Sequence, residues 1–165
     1  MPIQPGDTLP DATFTIMTAD GPKPVTTAEI FKGRKVALFA VPGAYTPTCH
    51  KAHMPGFVER VGELHAKGID TVACTSVNDI FVLSNWAQDT GAEGKITMLS
   101  DGSADFAKAI GLEIDLSSRG FGVRSKRYAM VVDDGVVKVL NVEDSPPSHS
   151  VSSAETMCSM IDKSI

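Results

Sequence analysis

Cysteine is scarce in this chain: 165 residues hold three, Cys49, Cys74 and Cys158. An odd number at spacings that match neither a zinc-ligand pattern nor a disulfide framework argues against a metal site and an oxidising compartment. A reducing, cytoplasmic setting is expected. No CxxC pair exists, because Ala52 stands where the second cysteine would be, and this removes the motif of a thioredoxin-type disulfide reductase. Basic charge is short as well: 15 Lys and Arg against 20 Asp and Glu leave a formal charge of -5, which argues against a nucleic-acid partner. No apolar run approaches membrane-spanning length, and the first residues, Met1-Pro2-Ile3-Gln4-Pro5-Gly6-Asp7, lack the basic-then-apolar order of a secretory leader. Neither a membrane partner nor export is therefore expected. Repeats and low-complexity linkers are also missing. The length suits one domain over residues 1–165 with a substantial core.

What is present alternates between strand and helix signals. Extended segments are expected near 12–17, 35–41, 69–75 and 96–100, and helices over about 47–67, 79–90 and 103–110, with Pro55 kinking or dividing the first helix. This order predicts an α/β domain with a central sheet. Arg127 to Val132 and Val136 to Leu140 flank Asp133-Asp134-Gly135, whose Asp-Gly pair is a strong hairpin signal. Ala154, Met157, Cys158 and Ile161 recur at helical spacing, so a docked C-terminal helix should follow the Ser/Pro-rich loop at 143–150.

Cys49 lies in Val41-Pro42-Gly43-Ala44-Tyr45-Thr46-Pro47-Thr48-Cys49-His50, where an apolar strand breaks into a turn and a helix begins. Thr46 has the type and position of an N-cap and Pro47 suits the first helical position, which puts Cys49 in the first turn. Backbone N–H groups there have no intrahelical acceptor, and with the positive end of the helix dipole they favour thiolate over thiol. From Pro47 to Gly56 the chain carries His50, Lys51 and His53 but no acid, which adds to that bias. An arbitrary free cysteine is more often buried and inert; the helix-start setting reverses that reading here. Thr46, three positions earlier, can turn its hydroxyl toward the sulfur while helping to cap the helix.

The run from Pro42 through Thr46 and Cys49 to His53, Pro55, Gly56 and Phe57 resembles the active-site signature of peroxiredoxins. In detail it is similar to the type II, or five-type, subfamily, whose pattern is PGAYTPTC followed by HxPGF. Ser76-Val77-Asn78-Asp79 with Phe81 and Trp86, and Arg127 to Gly135, match the same subfamily, so the likeness covers nearly the whole chain. It implies a thioredoxin-like fold: a central mixed β-sheet flanked by helices, with a C-terminal β-hairpin and helix. It also implies reduction of hydrogen peroxide or organic hydroperoxides without a cofactor. Cys49 would be the peroxidatic nucleophile and pass through a sulfenic acid. Thr46 could hydrogen-bond sulfur and peroxide, and Arg127, which shares a strand face with Ala129 and Val131, would stabilise the anionic sulfur. Its bland alternative is an edge arginine paired with a surface acid. Pro42, Gly43 and Thr48 belong to the same pocket-forming run. His53 would tune the field or shape the pocket, and Arg124 would support the site or an interface, unless it is a solvated arginine. His65 and His149 read as exposed.

Regeneration needs a second thiol, and Ser145 to Ser153, where some type II members carry a resolving cysteine, has none. Cys158 reads as a core residue. Cys74, at the end of a buried strand, could resolve the sulfenic acid only after local unfolding. A one-cysteine cycle closed by glutathione or a glutaredoxin is therefore expected, with thioredoxin as the other reductant to consider. The resemblance further implies a homodimer, for which Tyr45, Phe81 and Phe121 are interface candidates that would serve equally well in a core. The competing class is a non-catalytic redox sensor or chaperone-like module that uses Cys49 as a switch.

Overall fold

The structure is a computed structural model that describes residues 2–144 and 150–164, with side chains through Ile161. His149 and most of the loop before the last helix lie outside the described residues. A seven-stranded mixed sheet runs in the order β2-β1-β5-β4-β3-β8-β9, formed by β1 (Thr13–Thr18), β2 (Gly21–Thr26), β3 (Lys35–Val41), β4 (Thr71–Ser76), β5 (Thr97–Ser100), β8 (Tyr128–Asp133) and β9 (Val136–Val142). β3, β4 and β5 are parallel neighbours, whereas β8 returns antiparallel beside β3. The helices are α1 (Thr27–Phe31), α2 (Met54–Ala66), α3 (Ile80–Thr90), α4 (Asp105–Ala109) and α5 (Ala154–Ser164).

Central strand β3 is buried on both faces, as its unbroken run Val36 to Val41 requires. Its two faces feed separate cores. Ala37, Phe39 and Val41 meet α2, α3 and α5 through Phe57, Leu64, Trp86, Met157 and Ile161, with Phe39 stacked on Phe57 at 3.9 Å between ring centroids. Val36, Leu38 and Ala40 meet Phe14, Phe31, Phe106 and Met130 on the other side. Cys49 and Cys74 both belong to the first of these cores, and so does Cys158 on α5.

The expected elements are present, together with several that carry no signal in the sequence. The hairpin turns through Asp134 and Gly135 at φ 49° and 80°, the left-handed pair that an Asp-Gly turn supplies. β2 lacks a strand signal because Pro22 and Pro24 interrupt its pattern; it is tolerated as an edge strand paired only with β1. The short pair β6 (Glu113–Asp115) and β7 (Val123–Ser125) brackets a 3₁₀ turn, Ser117–Arg119. That excursion carries no hydrophobic period, yet it forms one wall of the site. The helix expected near 103–110 shrinks to α4, whose first-turn N–H groups of Phe106 and Ala107 donate to the Asp101 carboxylate at 2.9 Å.

Candidate active site

After β3 the chain turns through Pro42 to Tyr45 and enters a helix at Pro47. The turn is fastened to the end of β4: the Asn78 side-chain oxygen accepts from Ala44 N at 3.0 Å and from Ser76 Oγ at 2.6 Å. Tyr45 takes φ 65°, an unusual conformation for an aromatic residue, with its hydroxyl donating to Asp89 at 2.6 Å. The Thr46 carbonyl accepts from His50 N at 2.8 Å, so the helix begins where the sequence placed it. Its hydroxyl, however, donates to Gly43 O at 2.6 Å rather than accepting from the first turn. That bond closes the loop instead of capping the helix.

The helical segment expected over 47–67 divides beside Pro55, as anticipated, into a π-helical turn and α2. Cys49–His53 forms a π-helical turn in which Met54 N donates to the Cys49 carbonyl, and α2 continues from Met54 with Pro55 in its first turn. A proline lacks the N–H for the ordinary ladder and its ring crowds the carbonyl of the preceding turn. Widening that turn relieves the conflict, and such turns recur at functional sites.

The sulfur of Cys49 is fully buried, and Arg127 Nη2 donates to it at 2.9 Å. Arg127 is 2% exposed and reaches the sulfur from the residue before β8, on the Ala129 and Val131 side of the sheet. A buried guanidinium stabilises an adjacent anionic sulfur strongly, because little water competes for either charge. His53 sits beside it, 1% exposed, with Nδ1 2.9 Å from Arg127 Nη1 and Nε2 2.9 Å from the Ser152 carbonyl. Since the carbonyl can only accept and the guanidinium can only donate, the proton belongs on Nε2 and the lone pair on Nδ1. Ser152 is held in turn: its N–H and hydroxyl both donate to Glu143 Oε2, at 2.7 and 2.6 Å. Glu143 N donates to the Arg127 carbonyl at 3.0 Å, which closes a ring of hydrogen bonds around the arginine. Sequence reading missed Glu143 and Ser152. Their spacing has no periodic signal, and a polar pair in a Ser/Pro-rich segment reads as solvated loop.

A cavity of about 190 Å³ leads to this cluster, lined by Pro42, Thr46, Pro47, Thr48, Leu116, Arg119, Phe121 and Arg127. A larger one, about 660 Å³, lies between β1, α3 and residues 93–98 and shares no lining residue with it. Arg124 holds the outer wall in place. Its Nε donates to Phe121 O at 2.9 Å, its Nη1 to Pro42 O at 3.1 Å, and its guanidinium lies 5.3 Å from the Phe121 ring centroid. Gly43 packs closely under that arginine: a Cβ would fall 2.8 Å from Arg124 Nη1 and 3.1 Å from the Thr46 methyl, so the guanidinium tip would have to move. His53 lies behind Arg127 and not in the cavity wall. His50 is occupied elsewhere: Trp86 Nε1 donates to its Nδ1 at 2.9 Å.

The other two thiols have different surroundings. Burial pushes the Cys74 thiol well above its ordinary range, with nearby Cys49 adding to the effect and Arg127 opposing it. Burial, and then the Glu63 carboxylate, push Cys158 up to about 11. Among the three, only Cys49 receives a guanidinium hydrogen bond in the described structure.

A thioredoxin-like sheet with a guanidinium-bound cysteine at a helix start defines a redoxin. The Redoxin family matches residues 4–158. Rice Peroxiredoxin-2E-2, chloroplastic, is 54% identical over 157 residues, covering 92% of this chain and 69% of the relative. Peroxiredoxin-2B of Arabidopsis thaliana is 43% identical over 155 residues, covering 93% and 95%. Reduced Prx3 of Vibrio vulnificus, crystallised in complex with H2O2, superposes with a TM-score of 0.92 at 49% identity, over 96% of this chain and 99% of that one. The chain belongs to the peroxiredoxins of the redoxin family and is a thiol-dependent peroxidase. A non-catalytic sensor or chaperone-like role is not favoured by these likenesses. No helix among the described residues is long and apolar enough to cross a membrane.

Proposed function

We propose that Cys49 is the peroxidatic residue and that Arg127 and Thr46 complete its catalytic group. The observation that carries this reading is the 2.9 Å hydrogen bond from a buried guanidinium to the Cys49 sulfur. The thiolate attacks the terminal oxygen of the peroxide, the O–O bond breaks, and sulfur is oxidised by two electrons to a sulfenic acid. The departing oxygen leaves as alkoxide or hydroxide and takes up a proton to become alcohol or water. Charge passes from sulfur to oxygen, and a guanidinium that stays protonated serves both ends of that transfer. Thr46 lines the approach, and its hydroxyl oxygen, whose proton goes to Gly43 O, can accept from the hydroperoxide O–H, while Pro42, Gly43, Thr48 and Arg124 shape the loop. His53, Ser152 and Glu143 act as positioning residues that fix the arginine.

The cycle uses one cysteine. Cys74 and Cys158 are buried and held as thiols, poor partners for a sulfenic acid, so an outside thiol closes the cycle: glutathione with a glutaredoxin, or else thioredoxin. Residues 1–165 act as one domain in a cytoplasmic setting, the reading that three unpaired cysteines support, although two of the relatives are named as chloroplastic. A homodimer is supported by Tyr45, Phe81 and Phe121, exposed by 45%, 59% and 42%. Equimolar peroxide followed by mass spectrometry tests the cycle. One oxygen should appear on Cys49, exchange for a glutathione adduct, and be lost on adding glutaredoxin. A Cys49–Cys74 disulfide instead would replace the one-cysteine cycle.

A further inference from the structure

The cavity that reaches Arg127, in front of buried Cys49, has a cationic wall in a chain that is acidic overall. Two of its eight lining residues are arginines and none is an acid, against a formal charge of -5 for the whole protein. The two arginines differ in what they do. Arg127 is committed to Cys49 and His53 at the inner end. Arg119 closes the 3₁₀ turn at the rim, is exposed, and its guanidinium makes no hydrogen bond or ion pair among the described residues. The neighbouring acid, Asp115, is turned to Ser117, whose backbone N–H donates to it at 2.9 Å and which holds its carboxyl below the usual range. The rest of the lining is mostly apolar, Leu116, Phe121, Pro42 and Pro47, with Thr46 and Thr48 beside them. Arg124 fixes that wall by holding Phe121 O and Pro42 O together.

We infer that Arg119 is a specificity-determining residue that selects organic hydroperoxides carrying a carboxylate at the end remote from the peroxide. The inference rests on the peroxidase reading of Cys49 and names the substrate class of that site. The hydroperoxide enters toward Arg127, its short hydrocarbon section lies against Leu116 and Phe121, and the carboxylate meets the Arg119 fork at the rim. A guanidinium matches a carboxylate through two parallel N–H donors, which a phenyl or alkyl end cannot use. The cavity, about 190 Å³, is smaller than the roughly 300 Å³ at which drug-sized pockets begin, so the section between the two ends must be short. The chemistry is unchanged: thiolate takes the distal oxygen, and the remaining carboxylated alkoxide is protonated and leaves as a hydroxy acid.

A matched pair of probes tests this. One is a short tertiary alkyl hydroperoxide with a terminal carboxylate and the other its methyl ester, compared as the ratio of kcat/KM within each protein. For a rim-exposed ion pair the wild-type ratio should favour the acid by about fivefold and shrink as salt is raised. Arg119→Ala should bring the ratio to about one, Arg119→Lys should keep part of it, and Arg119→Glu should invert it. A wild-type ratio near one, or a preference that survives in Arg119→Ala and Arg119→Glu, overturns the inference. Hydrogen peroxide serves as the reference substrate for wild type. If wild type does not consume it through Cys49, the peroxidase reading itself has failed, an outcome distinct from an unchanged ratio.

Discussion

Arg127 is the residue on which the site turns, because it alone joins the sulfur, His53 and the cavity wall. Replacing it with alanine removes a charge-assisted hydrogen bond whose usual worth is about 1.5–3 kcal/mol, so peroxide consumption should slow by about ten- to a hundredfold. Alkylation of Cys49 by iodoacetamide at neutral pH should slow in parallel, since both reactions need the thiolate. Equal alkylation rates in the two proteins would place Arg127 outside the thiolate's support. Gly43 is a steric counterpart. Its substitution by alanine would bring a methyl to within 2.8 Å of Arg124 Nη1, so the guanidinium tip must move off Pro42 O. Displacing that tip costs about 1 kcal/mol, the worth of the lost hydrogen bond, measurable as a small fall in denaturant midpoint, and should weaken reaction with bulky hydroperoxides more than with hydrogen peroxide.

Among the elements, the last helix is tied to the chemistry through the segment that leads into it. Ser152, just before α5, carries the carbonyl that orients His53, and Glu143, just after β9, holds Ser152. Glu143→Ala should therefore slow peroxide reaction by about tenfold, the worth of one lost hydrogen bond to a charged group, although neither residue lines the cavity. Nitrogen NMR of His53 separates this from simple destabilisation: wild type should show the Nε2-protonated ring, and the variant a mixture of tautomers. An unchanged tautomer in a slowed variant would break the proposed link. The helix itself was legible from Ala154, Met157, Cys158 and Ile161, and so were the hairpin and the helix start at Pro47. Less was legible where no period exists. The π turn follows from Pro55 meeting the helix ladder, a conflict whose outcome three-dimensional packing decides. The 3₁₀ turn at Ser117–Arg119 carries Arg119 by local turn geometry, and the Thr46 hydroxyl prefers Gly43 O to the expected cap for the same reason.

For the whole molecule, burial of titratable groups sets the alkaline limit of stability. Cys158 is pushed up to about 11 from an ordinary value of 9.0, and Cys74 and Tyr128 are raised well above theirs, in each case chiefly by burial. Between the ordinary and the raised values the folded chain keeps protons that the unfolded chain has lost, so stability must fall as pH rises. The loss starts near 9, and for Cys158 it is complete near 11. Urea midpoints should hold below that window and drop across it, with Cys158→Ala showing a shallower decline than wild type. A flat profile would mean these groups titrate normally in the fold. The two cores explain why that burial is obligatory: β3 is covered on both sides, and all three cysteines belong to the core between the sheet and α2, α3 and α5. A chain that packs its thiols so deeply must distinguish one of them electrostatically, and Arg127 does so for Cys49. The most direct test is rapid-mixing consumption of hydrogen peroxide by the reduced protein beside Cys49→Ser, Cys74→Ser and Cys158→Ser. Fast consumption that disappears only in Cys49→Ser is the expected result. Consumption that survives in Cys49→Ser, or that is lost equally in a folded Cys74→Ser, would contradict it.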